Sequence, residues 1–130
     1  MNIALIAHNK KKELMCAFCI AYKDILKQHN LCATAGTAAV IADGSGLEVA
    51  KVSHGVLGEQ QLSSRVAYNE IDLVIFFRDP ISKAHFEPDI GGFLNVCDQN
   101  HIPFATNIAT AELLIKSLER GDLQWRDNIR

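Results

Sequence analysis

The sequence predicts an α/β domain: a three-layer α/β/α sandwich around a five-stranded parallel sheet. Three observations carry this expectation. Short apolar runs alternate with amphipathic segments along the chain, the order that strand–helix–strand units produce. The runs are nearly unbroken, Ile71 to Phe77 above all, and such strands are buried on both faces, as in a parallel sheet. Polar, reactive and small residues gather just past the ends of the runs, where open α/β sheets bind their ligands.

Each element has its own signal. Asn2 to Ala7 is an apolar first strand. Lys11 to His29 reads as one helix, with Leu14, Phe18, Ala21, Tyr22 and Ile25 along a single stripe. Leu31 to Thr34 is a short second strand, and Thr37 to Ala42 opens a second helix that the Asp43-Gly44-Ser45-Gly46 turn should end. Leu47 to Val52 alternates as a third strand, and Gln60 to Tyr68 is a third helix. Ile71 to Phe77 is the fourth strand, stopped at Arg78-Asp79-Pro80. Pro88 suits the first turn of a helix running to about Asn100. Ile102 to Ala105 is the fifth strand, and Thr110 to Glu119 a last helix with Gly121 as its stop.

The length of 130 residues suits one domain, 1–130, with residues 118–130 as a C-terminal tail that carries the one tryptophan, Trp125. The tail reads either as a short helix covering a neighbouring surface or as a cap on its own domain. A net charge of −2 gives no general argument for nucleic-acid or membrane binding. The apolar start is too short for a signal-peptide core, no span reaches transmembrane length, and a cytoplasmic protein is expected. Cys16 and Cys19 form a C-x-x-C string inside a helical pattern. With no second ligand pair, they read with Cys32 and Cys97 as small buried or half-buried thiols.

Five loops follow the five strands. The first is His8-Asn9-Lys10-Lys11-Lys12, and the second, Thr34-Ala35-Gly36-Thr37, leads into a helix. Its hydroxyls, its glycine and the positive end of that helix make a phosphate cradle, although Thr37 also suits a plain helix cap. Ser53 and a lysine of the first loop could complete an anion site. The third loop runs from Ser53 to Gln61 and contains His54 and Glu59; the fourth holds Asp79, then His85, Glu87 and Asp89; the fifth is Thr106-Asn107. His8 could be a structural histidine, Glu59 and Asp89 first-turn acids, and Asp79 a strand terminator. Their coincidence on one rim argues for an active site.

Together these residues resemble the methylglyoxal synthase family, from Ile3 to about Ile115. The family's Ala-His-Asp strand end with a lysine three residues on resembles Ala7-His8-Asn9 with Lys12. Its threonine-rich phosphate loop resembles Ala33 to Thr37, and its Ser-Gly-Pro-x-Gly-Gly-Asp-Gln-Gln segment resembles Ser53 to Gln61 without a gap. Its Ile-Asp-x-x-Ile-Phe-Phe-x-Asp-Pro strand is matched at Ile71 to Pro80, and its Pro-x-Ala-Thr-Asn-x-Ala-Thr-Ala segment at Pro103 to Ala111.

The resemblance implies a homohexameric lyase that converts dihydroxyacetone phosphate to methylglyoxal and inorganic phosphate, with no metal or organic cofactor. It implies phosphate binding by Lys12, Thr34, Thr37 and Ser53, and Gly36 and His54 are expected beside them in the binding site. It implies Glu59 as base, with His8, His85, Asp79 and Asp89 supporting. The chain departs from the family at Asn9, Gly36, His54 and Glu59, where the family has Asp, Thr, Gly and Asp. The family histidine falls on Phe86, and a one-residue shift would give its role to His85. The same fold serves as a non-catalytic regulatory domain of carbamoyl phosphate synthetase, the alternative that these departures keep open.

Overall fold

The computed structural model describes residues 1–81 and 90–129. Among them, five strands form one parallel sheet in the order β3-β2-β1-β4-β5: β1 Asn2–Ala7, β2 Asn30–Thr34, β3 Ala50–Val52, β4 Leu73–Phe77 and β5 Phe104–Ala105. β1 is central, its Ile3 level with Leu31 on one side and Leu73 on the other.

The period-2 alternation of strand side chains divides the core into two layers. Leu5, Ala33, Ile75 and Phe77 point to one face, where they meet α1 (Lys12–Ala21), α3 (Ala35–Ser45) and α6 (Ile108–Arg120). Ala4, Ile6, Val74 and Phe76 point to the other and meet α4 (Gly55–Ala67) and α5 (Ile90–Gln99). Both faces are covered, which is why the strands read as continuous apolar runs. The expected three-layer α/β/α architecture is the observed one.

The helix boundaries differ from expectation for local reasons. The first helix is not continuous: a 3₁₀ turn, Asn9–Lys11, precedes α1, and the chain breaks at Tyr22 before a four-residue α2, Lys23–Leu26. Tyr22 turns aside to hydrogen-bond Glu112 of α6 at 2.5 Å. The Asp43–Gly46 turn is absent, because α3 runs through Gly44 to Ser45 and stops only at Gly46, whose φ of 76° is left-handed. Gly44 serves packing instead, since a Cβ there would collide with Cys16 Sγ on α1. β3 is shorter than expected. The third helix starts five residues early, at Gly55, so Glu59 lies inside α4 rather than in a loop. The last helix stops at Gly121 as expected.

The C-terminal tail folds onto its own domain through a 3₁₀ helix, Gln124–Asn128. Arg126, 1% exposed, donates to Asp72 Oδ1 at 3.1 Å, to the His101 carbonyl at 3.3 Å and to Asn69 Oδ1 at 3.3 Å. The second Asp72 oxygen accepts from the Asn2 amide at 2.8 Å. This buried ion pair lies at the amino ends of the strands, and nothing in the residue pattern of the tail singles Arg126 out.

Candidate active site

Strand order reverses direction at β1 and β4, with α1 leaving to one face and α5 to the other. The crevice between their carboxyl ends is where an open α/β sheet binds its ligand. His8 ends β1 and Asp79 follows β4, and they meet there: the Asp79 amide donates to His8 Nδ1 at 2.8 Å. His8 is 3% exposed and packs edge-on against Phe76. With Nδ1 accepting, the neutral ring carries its hydrogen on Nε2 and can present it as a donor.

The anion cradle is built on the first turn of α3. Thr34 occupies the N-cap position with extended backbone, and the helix starts at once at Ala35, two residues before the expected start. Thr37 is therefore not the cap. Its buried hydroxyl accepts from the Ala7 amide at 3.2 Å and pairs with Thr34 Oγ1 at 3.3 Å, fixing this turn to the end of β1. Gly36 faces the Lys12 ammonium so closely that a Cβ at residue 36 would lie 2.6 Å from Lys12 Nζ and 3.8 Å from His54 Nδ1. Lys12, the first residue of α1, and His54, the N-cap of α4, thus converge on the first turn of α3, where the ammonium and the helix N-terminus both favour an anion. Asn9 Oδ1 accepts from Lys12 Nζ at 2.7 Å and orients it. The residue that departs from the family aspartate keeps an oxygen directed at the lysine.

α4 supplies the remaining members. His54 is its N-cap and Gly55, at φ 56°, its first residue. Gly58 is buried where a Cβ would strike the Ser53 carbonyl, and Thr34 Cγ2 would be 3.0 Å away. This close approach brings Ser53 against the threonine loop. Gln61 Oε1 accepts from the Ser53 amide at 2.8 Å, tying the segment before the helix to its second turn. Glu59 is half-buried and accepts from Ser63 at 3.0 Å.

The structure brings His8, Lys12, Thr34, Gly36, Thr37, Ser53, His54, Glu59 and Asp79 to one end of the sheet. His85, with the shift that would give it the family role, and Asp89 lie outside the described residues. Sequence reasoning missed Asn9 as the partner of Lys12 and Gln61 as the partner of Ser53; amide side chains close to a loop lysine and loop serine were the available signals. Among the described residues, no group of three or more His, Cys, Asp or Glu side chains is placed to hold a metal ion.

The chain matches the MGS-like domain family over residues 15–106. It is 59% identical to methylglyoxal synthase of Caldicellulosiruptor saccharolyticus over 128 residues, covering 98% of this chain and 91% of that protein. It is 49% identical to the enzyme of the same name from Thermoanaerobacterium thermosaccharolyticum over 131 residues, covering 100% and 98%. Its fold is similar to the crystal structure of methylglyoxal synthase from Elizabethkingia anophelis NUHP1, with a TM-score of 0.85 at 37% identity over 88% of this chain and 76% of that one.

Proposed function

The chain belongs to the methylglyoxal synthase family, and from that membership we infer that it is a carbon–oxygen lyase converting dihydroxyacetone phosphate to methylglyoxal and inorganic phosphate. The observation that carries this reading to the residues is the convergence of Lys12 Nζ and His54 over Gly36 at the start of α3. A dianionic phosphate is the ligand such a cradle suits.

The chemistry needs a base beside the hydroxymethyl carbon and a donor to the carbonyl oxygen. Glu59 supplies the carboxylate. Triosephosphate isomerase uses a glutamate base on the same substrate, so the extra methylene relative to the family aspartate is compatible with this step. His8, with its hydrogen on Nε2, donates to the oxygen as the enediolate forms. Contacts of this kind contribute about 3 to 4 kcal/mol in other enzymes. Phosphate then leaves as the enediolate electrons form the new double bond, and the resulting enol takes up a proton at its terminal carbon and loses its hydroxyl proton to give methylglyoxal. That step requires the breaking carbon–oxygen bond to stand out of the enediolate plane. Lys12, Thr34, Gly36, Thr37, Ser53 and His54 would set this torsion and stabilise the leaving dianion. Asp79 holds His8 through its amide, while His85 and Asp89 complete the set by resemblance. The homohexamer and a cytoplasmic location belong to the same reading; among the described residues, no helix is long and apolar enough to cross a membrane.

The test mixes the protein with dihydroxyacetone phosphate and follows both products. Equimolar release of methylglyoxal and phosphate is expected. Saturable binding without turnover would replace the lyase by a metabolite-binding module of the same fold.

A further inference from the structure

The Glu59 carboxylate is held from its own helix. Ser63 lies one turn further along α4, and its hydroxyl donates to Glu59 Oε1 at 3.0 Å. Residues four apart share a helix face, and the pairing uses that geometry. Both side chains are half-buried. Their flank of the helix looks toward α5, where the Glu59 charge is one cause, after burial and Asp98, that pushes the Cys97 thiol up to about 12.

We propose that Ser63 is the positioning residue for the proton-abstracting carboxylate of Glu59. The inference rests on the reading of Glu59 as the base and deepens it. A glutamate has one more rotatable bond than the aspartate that the family places at this point. The added freedom must be removed if an oxygen is to stay within hydrogen-bond reach of the substrate carbon's proton. A hydrogen bond to one carboxylate oxygen, delivered from the next turn of the same rigid helix, does this without any contact to substrate. Gln61 serves Ser53 in the same manner at the phosphate end. α4 therefore carries the groups that fix both ends of the reacting molecule.

Steady-state kinetics on the full chain test this. Ser63→Ala keeps helix propensity and should keep the fold. It is expected to lower kcat roughly 10- to 100-fold, the scale of a lost hydrogen bond to a charge or of a base displaced by about 1 Å. KM for dihydroxyacetone phosphate and inhibition by inorganic phosphate should stay at the parent values, which a general loosening of the cradle would not allow. Ser63→Thr keeps the hydroxyl and should recover most of kcat. The Glu59→Gln, Ser63→Ala double variant should be no slower than Glu59→Gln alone. A Ser63→Ala enzyme with the parent kcat, beside a Glu59→Gln enzyme that is inactive, overturns the positioning role and leaves the base in place. A Glu59→Gln enzyme of normal turnover overturns both.

Discussion

Lys12 shows how one side chain is made specific among three. Lys10, Lys11 and Lys12 follow one another, yet it is Lys12 whose ammonium rests over the Gly36 backbone, steered there by Asn9. Lys12→Met should weaken inhibition by inorganic phosphate about 10-fold or more, the scale of a charge-assisted hydrogen bond. Unchanged inhibition would move the anion site elsewhere. Glu59→Gln should lower phosphate release by roughly 10²- to 10⁴-fold with an unaltered circular dichroism spectrum, the usual contribution of a general base. Near-normal turnover would remove Glu59 from that role. His8, Lys12 and Ser53 stood out in the sequence because each lies just past a strand end, and Glu59 through its place in the family-like segment before Gln60-Gln61. Asn9, Gln61 and Ser63 did not. Their significance lies in what they hold, and a hydrogen bond made by a side chain leaves no trace in a residue pattern until helix phase and loop path are known.

At the scale of elements, the inner strands β1, β2 and β4 were read more accurately than the helices, while the edge strands β3 and β5 are half the expected length. An apolar run covered on both faces has an unmistakable composition, whereas helix ends depend on packing. A glycine stands inside α3 at Gly44 because Cys16 occupies the space that a Cβ would need, and α4 starts at Gly55 without a side-chain cap from His54. The terminal 3₁₀ helix makes the same point energetically. Arg126 is fully buried, and burial lowers its pKa, so the guanidinium stays in place only through its partners. Arg126→Met would take from Asp72, at 0% exposure, the guanidinium that faces it. The expected loss is about 3–5 kcal/mol of stability, read from urea unfolding. A loss below about 1 kcal/mol, the scale of a surface ion pair, would mean that the pair contributes little.

For the molecule as a whole, the alternation of runs carried the architecture, and right-handed crossovers left few ways to arrange it. Association is a property of the surface, which the residue pattern describes poorly. Leu57, Leu113 and Ile129 are exposed apolar side chains that a family-like hexamer can use. Light scattering should give about six times the 14.3 kDa chain mass; a monomeric mass would refute the hexamer. Stability should also fall on mild acidification. His29 accepts from the terminal ammonium of Met1 at 3.3 Å, and burial, then that neighbouring charge, lowers its pKa below 6.5. The folded chain therefore binds this proton less readily than the unfolded one. The contact's contribution is fully present above about pH 6.5 and is lost as the pH falls from there through the lower folded value. Proton NMR of the His29 ring should give a midpoint below that of a model histidine, and an ordinary midpoint would contradict the contact.

The sealed guanidinium of Arg126 has a chemical consequence for a catalyst that releases a ketoaldehyde. Such 1,2-dicarbonyls condense with arginine side chains, and the locally produced aldehyde meets its maker first. Arg78 and Arg120 stand in solvent, open to such condensation, whereas Arg126, at 1% exposure, is shielded from it. Burial thus shields from its own product a charge that ties the tail to the sheet.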